Sequence, residues 1–155
     1  MLPHDLLATA SRLAASNQRK PKQADLKRAM STAYYAMFHA LAKSCADSLI
    51  GTAKRDRANR AWQHVYRALE HGFAKSACQN KEIARFPQGV QDFANAFVIM
   101  QANRHSADYD PFARLLKFEV LFDIKYVKLV IEGFQRTSSK DRKAFAIWVL
   151  LKQRP

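Results

Sequence analysis

Apolar residues recur every three or four positions along nearly the whole chain, and this helical spacing constrains the fold more than any other feature. The alternation of apolar and polar residues that is typical of strands is scarce, and glycine occurs only four times. A length of 155 residues suits one domain with a core of its own. We therefore expect an all-α fold, in which residues 1–155 form a single antiparallel bundle of about five to six helices.

Residues that typically begin or end a helix predict the bounds of the first three helices. The first helix is predicted from about Asp5 to Ser16, before a basic linker, Asn17–Lys22, in which Pro21 stops it. The second is predicted from about Gln23 to Ile50, and its wide apolar face indicates a central helix that ends at Gly51. The third helix opens with a basic cluster and continues with apolar residues at helical spacing: Lys54, Arg55, Arg57 and Arg60, then Trp62, Val65, Tyr66, Leu69 and Phe73.

Prolines divide the second half of the chain. A fourth helix is predicted from near Pro87 to the pair Asp110-Pro111, where a sharp corner is expected because residues before proline avoid helical backbone. A fifth helix is predicted from Pro111 to about Arg136, capped by Asp110. Its expected core residues are Leu115, Phe118, Phe122, Val130 and Phe134. Ser138 and Asp141 predict the cap of a last helix.

The charge of the chain is strongly positive. Lys and Arg number 26 against 13 Asp and Glu, which gives a formal net charge of +13 and an isoelectric point near 10.1. Such an excess favours a polyanionic partner that presents phosphates, although a basic isoelectric point is also common among small cytoplasmic proteins. Arg57 and Arg60 oppose the macrodipole at a helix start, and in company with their basic neighbours they fit a phosphate-binding surface.

Several classes of protein are disfavoured by the sequence. Cys45 and Cys78 lie far apart in helical patterns, so we expect small core residues in a reducing compartment. No apolar run is long enough for a membrane span, and the N-terminus lacks a basic stretch followed by an apolar one, so we expect a cytoplasmic protein without membrane contact. His64 and His71 lack a completing set of ligands, and phosphate-cradling glycine loops are missing, so neither metal nor cofactor is expected.

Two charged residues continue an apolar stripe of the fourth predicted helix. At 100° per residue, Arg104 and Asp108 fall in the same sector as the expected core residues Phe93, Phe97 and Met100. One interpretation is an ion pair between Arg104 and Asp108 that ties the helix to its corner. The other is that Arg104 points into a cleft and holds a phosphate, for which a planar guanidinium is well suited.

Two segments carry a resemblance to a known family. The run Ser31–Ala40 contains Tyr-Tyr-Ala-Met-Phe-His, and Arg104–Pro111 reads Arg-His-Ser-Ala-Asp-Tyr-Asp-Pro. Together they resemble the best marked segments of HEPN proteins. The resemblance implies a helical bundle that commonly forms homodimers and binds RNA or a nucleotide-bearing partner. It further implies a role in a toxin-antitoxin or defence system, often beside a small nucleotidyltransferase.

The resemblance also implies candidate catalytic residues. Catalytic HEPN proteins cut RNA without a metal, using an Arg, a following polar residue and a His five positions after the Arg. Arg104 and His105 match the first two positions, and Tyr109 stands where the His is expected. A phenol with a pKa near 10 is a poor general base at neutral pH, and His105 projects about 100° away from Arg104 on a continuous helix.

Three hypotheses follow from these residues. The first is a protein that binds RNA or a nucleotide-bearing partner without the usual catalytic His. The second is a metal-independent endoribonuclease that uses Arg104 with His105 or Tyr109, and the third is a non-catalytic dimeric interaction module. The expected cleft residues are Tyr35, His39, Asp108, Arg57 and Arg60. Tyr35 and His39 lie one helical turn apart, a spacing that is also typical of a satisfied hydrogen bond in a core.

Overall fold

The computed structural model describes residues 2–15 and 21–155, which form seven α-helices and a short 3₁₀ helix, Lys81–Arg85. The α-helices are α1 (Pro3–Ala14), α2 (Gln23–Leu49), α3 (Asn59–Ala68), α4 (His71–Gln79), α5 (Gln88–Tyr109), α6 (Lys117–Gln135) and α7 (Ser139–Leu150). The all-α bundle is confirmed, with more helices than the predicted five to six. The predicted helix end at Ser16 and linker residues 17–20 lie outside the described residues.

Helix α2 is the centre of the bundle, as its wide apolar face predicts. It packs against α1, α3, α5, α6 and α7. Tyr34, Met37 and Leu41 of α2 are fully buried, and so are Phe93 and Phe97 of α5. Each large apolar side chain buried in this way stabilises the fold by about 1.5–3 kcal/mol. The contact between α2 and α5 therefore sets the relative position of every side chain on their shared face.

The third predicted helix is wrong in its extent, because the chain breaks it into α3 and α4. Leu69 and Glu70 have extended backbone between the two helices, and the side chain of Leu69 is buried in the core. The spacing of four between Leu69 and Phe73 crosses this break and mimics a continuous helix. Burial of Leu69 thus overrides the local preference. The helix also begins later than predicted, at Asn59, so most of the basic cluster lies in the preceding loop.

The fifth predicted helix is wrong in its start, because α6 begins at Lys117 and not at Pro111. The connector, residues 110–116, is held in a non-helical path by two side chains. Asp110 Oδ1 accepts a hydrogen bond from the backbone N–H of Phe112 at 2.9 Å. The Gln23 amide donates to the carbonyl of Leu115 and accepts from its N–H, both at 2.8 Å. These bonds satisfy backbone groups that a helix would otherwise satisfy.

Two residues of α6 that were expected in the core of the protein are exposed to solvent. Phe118 and Phe122 are 69% and 68% exposed, whereas Val130 and Phe134 are buried as predicted. The buried face of α6 includes Val127. Phe118 precedes Val127 by nine residues, which at 100° per residue places it on the opposite side of the helix.

Other local predictions are confirmed. The corner at Asp110 ends α5, and the side chain of Ser138 accepts a hydrogen bond from the N–H of Asp141 at the start of α7. Cys45 and Cys78 are buried free thiols, and burial raises the pKa of each to about 12. Within the described residues, no helix combines the length and the apolar character that a bilayer crossing requires.

Helices α5 and α6 are in close contact at Gly89 and Gly133. A Cβ atom added at Gly89 would lie 2.8 Å from the carbonyl oxygen of Gly133 and 2.7 Å from a methyl carbon of Thr137. We expect Gly89→Ala to lower the free energy of unfolding by about 1–3 kcal/mol, because a backbone atom must move to make room. Urea denaturation followed by circular dichroism measures this change.

Gly133→Ala is the matched control for that substitution. It adds the same methyl group on the other side of the contact, where a Cβ atom would meet nothing within 4 Å. Since alanine favours a helix interior over glycine, the control is expected to be neutral or stabilising. Equal losses in the two variants would contradict a close approach at Gly89.

Candidate functional site

Arg104 lies against two aromatic rings of the central helix. Its guanidinium carbon is 5.1 Å from the ring centre of Tyr34 and 5.8 Å from that of Tyr35. The side chain is only 12% exposed, and the core residues that share its sector, such as Phe97 and Met100, are fully buried as predicted. Cation–π attraction of this kind contributes about 0.5–2 kcal/mol and increases as water is excluded.

The charge of Arg104 is incompletely compensated. Its Nη1 lies 3.7 Å from Oδ2 of Asp108, which is a long distance for an ion pair, and the Asp108 side chain is 29% exposed. The same carboxylate oxygen accepts a hydrogen bond from the hydroxyl of Ser31 at 3.3 Å. The Nε of Arg104 is buried and has no hydrogen-bond acceptor among the described residues. A buried donor without an acceptor is unusual in a folded protein, so the hydrogen bonding of Arg104 is incomplete among the described residues.

An aromatic row connects Arg104 to the other end of α2. We use this name for seven rings: Tyr34, Tyr35, Phe38 and His39 of α2, Trp62 and Tyr66 of α3, and His71 of α4. The hydroxyl of Tyr34 shares a hydrogen bond of 2.6 Å with Nδ1 of His71, whose ring stacks on Phe38 at 4.0 Å between centroids. His39 Nδ1 shares a hydrogen bond of 2.5 Å with the hydroxyl of Tyr66, which stacks on Trp62.

Arg57 closes the far end of the aromatic row. Its guanidinium carbon is 4.2 Å from the ring centre of Trp62, and its Nη1 is 3.5 Å from Oδ1 of Asp47. The indole N–H of Trp62 donates to the same oxygen at 2.9 Å, and Lys43 lies 2.8 Å from Oδ2. The Arg57 side chain is 9% exposed. Its ion-pair distance is close to that of Arg104, but Arg57 also donates hydrogen bonds to the carbonyls of Gly51 and Thr52, both at 3.4 Å.

A cavity of about 810 Å³ opens beside this end of the row. Its lining includes His39, Tyr66 and Trp62 on one side, with Lys43, Lys54 and Arg57 around them. Stacked rings next to cationic side chains form a surface on which a base and a phosphate can bind together. The predicted cleft residue His39 thus lies at an opening, although its ring is already hydrogen-bonded.

Burial and charge shift the pKa values of the groups in the aromatic row. Burial raises the pKa of Tyr34, and the positive charge of Arg104 opposes that rise. Burial lowers the pKa of His71, and the charges of Arg104 and His39 lower it further. Burial also lowers the pKa of His39 and raises that of Tyr66. Both shifts favour the neutral form of these imidazoles, in which one ring nitrogen donates and the other accepts a hydrogen bond.

The structure brings some of the predicted site residues together and separates others. Arg104, Asp108 and Tyr35 are neighbours, and His39 and Arg57 lie farther along the row. The side chains of His105 and Tyr109 are exposed and lie beside each other, with ring centroids 4.9 Å apart. Arg60 is exposed on α3 and lines a shallow hollow with His64 and Arg67.

Sequence reasoning missed the partnership of Tyr34 and His71. The sequence marks Tyr34 only as part of the run Ser31–Ala40 and His71 only as a histidine without further metal ligands, because the 37 positions between them hide the contact. The run of rings Tyr34, Tyr35, Phe38 and His39 was a signal that such partners were needed, since buried hydroxyl and imidazole groups require hydrogen bonds. Among the described residues, no three His, Cys, Asp or Glu side chains are grouped to hold a metal ion.

Comparison of the chain with models of protein families, with curated proteins and with solved structures gives no match.

The lowered pKa of His71 leads to a pH-dependent stability. The unfolded chain binds a proton at this histidine near pH 6.5, whereas the folded chain binds it at a lower pH. The free energy of unfolding is therefore expected to fall as pH decreases from 7 to 5. His71→Asn should make this dependence shallower, as measured by urea denaturation at several pH values.

His64→Asn is the control for that measurement, because it removes a histidine from an exposed position on α3 outside the aromatic row. Its pH dependence should remain steeper than that of His71→Asn. The prediction is contradicted if the parent protein becomes more stable as pH decreases from 7 to 5 and His71→Asn shows the same slope. In that case the aromatic row does not disfavour a charged imidazole.

Proposed function

We propose that this protein binds single-stranded RNA through Arg104 and the aromatic row. One observation carries the proposal: a guanidinium that is mostly withdrawn from water has a distant carboxylate as its ion-pair partner and a buried N–H without an acceptor. A phosphate group at the exposed edge of this guanidinium supplies negative charge closer than Asp108 does, and its oxygens can accept hydrogen bonds from the terminal N–H groups. The carboxylate oxygen of Asp108 nearest to Arg104 also accepts a hydrogen bond from Ser31, so it compensates the charge of Arg104 only in part.

Two further properties support an RNA ligand. The net charge of +13 favours any polyphosphate, and release of counterions from the nucleic acid supplies most of such affinity. Rings next to the charge favour a ligand whose bases are free to stack, which single strands offer and duplexes do not. Tyr35, His39 and Tyr66 are partly exposed and provide such faces.

The resemblance to HEPN proteins supports the same proposal. The run Ser31–Ala40 supplies the α2 part of the aromatic row, and Arg104 comes from the second resembling segment. On this basis we propose a role in a toxin-antitoxin or defence system, with a small nucleotidyltransferase as a candidate partner. This context is analogy with the family and is independent of the geometry around Arg104.

Binding of a labelled single-stranded RNA, followed by fluorescence anisotropy across a salt series, tests the proposal. We expect affinity to fall steeply as salt rises, and Arg104→Met to weaken binding at least about tenfold at low salt, because a charge-assisted hydrogen bond is lost. Arg104→Lys should also bind weakly, since it keeps the charge but loses the planar group. Tyr35→Leu keeps apolar volume and should weaken binding by removing a stacking face.

Arg12→Met is the matched control. It removes the same charge from an exposed residue of α1, outside the aromatic row, and should change affinity less than about twofold. Absence of binding by the parent protein at low salt would contradict the proposal. A lower melting temperature of Arg104→Met with unchanged affinity would instead support the interpretation of Arg104 and Asp108 as a structural ion pair.

Metal-independent RNA cleavage is a second candidate function, and the position of His71 favours it. Arg104 and His71 both contact Tyr34, and a neutral imidazole near a phosphate-binding guanidinium is suited to proton transfer. His105 and Tyr109, the residues suggested by the family motif, lie exposed beside each other, with their ring planes tilted by 52°.

Four variants separate the two possible catalytic groups. RNA incubated with the protein in the presence of a chelator should yield fragments that end in a cyclic phosphate. If His71 moves the proton, cleavage is expected to disappear in Arg104→Met and His71→Asn and to persist in His105→Asn and Tyr109→Phe. The opposite pattern would assign catalysis to the exposed pair, and intact RNA with the parent protein would exclude this second function.

A further inference from the structure

A second cavity adjoins the one at the far end of the aromatic row. It has a volume of about 800 Å³ and lies between the second half of α2, the end of α6 and the starts of α1 and α7. Four residues line both cavities, namely Leu2, Lys43, Asp47 and Thr52. The two cavities therefore form one continuous depression, and we call the residues that line it the basic depression.

Positive charge dominates the lining of the basic depression. Of the described residues that line it, Asp47 alone carries a carboxylate, whereas six are cationic: Lys43, Lys54, Arg57, Lys140, Arg142 and Lys143. Asp47 pairs with Lys43 at 2.8 Å and with Arg57 at 3.5 Å. The other four cations form no ion pair with any residue that the structure describes. Their charges are therefore open to compensation by an anionic ligand.

The four cations without a carboxylate differ in their surroundings. The guanidinium of Arg142 donates hydrogen bonds to two backbone carbonyls at the end of α6, so its position is fixed. Lys54, Lys140 and Lys143 are exposed. A lysine ammonium is a compact charge on a flexible stem, and it can contact a phosphate whatever base the nucleotide carries. This part of the surface is therefore suited to the backbone of a nucleic acid.

A ridge of α2 connects the basic depression to the site at Arg104. Tyr35, His39, Lys43 and Asp47 follow one another at intervals of four residues, so their side chains lie in one line along the helix. At a rise of 1.5 Å per residue, this ridge is about 18 Å long. It begins beside the guanidinium of Arg104 and ends where the two cavities adjoin. The rings and the cations are thus arranged along one path.

We infer that the basic depression continues the RNA-binding surface, and that its cations hold the phosphates of nucleotides beyond those stacked on the aromatic row. The inference rests on the function proposed above and adds the path of the strand, which runs from Arg104 along α2 to the first turn of α7. Proteins that bind single strands typically combine stacking rings with a positively charged groove that follows the backbone. The aromatic row supplies the rings, and the basic depression supplies the groove.

The salt dependence of binding to a labelled single-stranded RNA of about 12 nucleotides tests the inference. Each phosphate neutralised on a single strand contributes about 0.7 to the slope of log Kd against log salt concentration. Lys140→Gln combined with Lys143→Gln should therefore reduce this slope by about 1.4. Both side chains are exposed, and positive charge is unfavourable near a helix start, so their removal should leave α7 folded.

Two further pairs of substitutions are the controls. Lys140→Arg with Lys143→Arg keeps both charges and should keep the slope of the parent protein. Lys125→Gln with Lys128→Gln removes two exposed charges at the same spacing from α6, outside the basic depression. This second pair should change the slope by less than about 0.3, because its charges lie away from the path of the strand.

The inference is overturned if Lys140→Gln with Lys143→Gln leaves the slope unchanged, or reduces it no more than the pair on α6 does. If Arg104→Met still weakens binding in that case, the proposed function stands and only the path of the strand is wrong. A parent protein that does not bind RNA at low salt would instead remove the proposed function, and this inference with it.

Discussion

The packing of α2 against α5 determines the rest of the structure, and the contact of Arg104 with Tyr34 and Tyr35 is its most demanding part. A cation next to a buried core requires compensation, because its desolvation costs several kcal/mol. Here the faces of two rings and a distant carboxylate provide only part of it. The site is thus built by the same helices that form the core, and its geometry is as rigid as the packing that surrounds it.

Much of the fold could be predicted from periodicity, but contacts between distant residues could not. The sector that Arg104 shares with Phe97 follows from 100° per residue, and the central position of α2 follows from the width of its apolar face. The break at Leu69 could not be predicted, because a buried side chain in a non-helical segment keeps the spacing of a helix. The pairing of Tyr34 with His71 depends on how α4 turns back towards α2.

The error at Phe118 has a different origin. Phe118 is as hydrophobic as a core residue, but its helical phase opposes that of the buried Val127, and the phase determines which side chain is buried. Residues that break the pattern in this way are the ones most often used for recognition. The same is true of Arg104, whose charge interrupts an apolar stripe. Both positions are local inconsistencies between the type of a residue and its place on the helix.

The hydrogen bonds between Gln23 and Leu115 have a consequence for how this protein tolerates change. The Gln23 amide donates one hydrogen bond to Leu115 and accepts one from it, as a peptide group does, and among side chains only asparagine and glutamine carry a primary amide. A glutamate at position 23 would place a carboxylate oxygen against the carbonyl oxygen of Leu115, where neither atom can donate. The shorter side chain of asparagine would not reach Leu115. One uncharged side chain at the first turn of the central helix thus transmits the position of that helix to a segment 92 residues away.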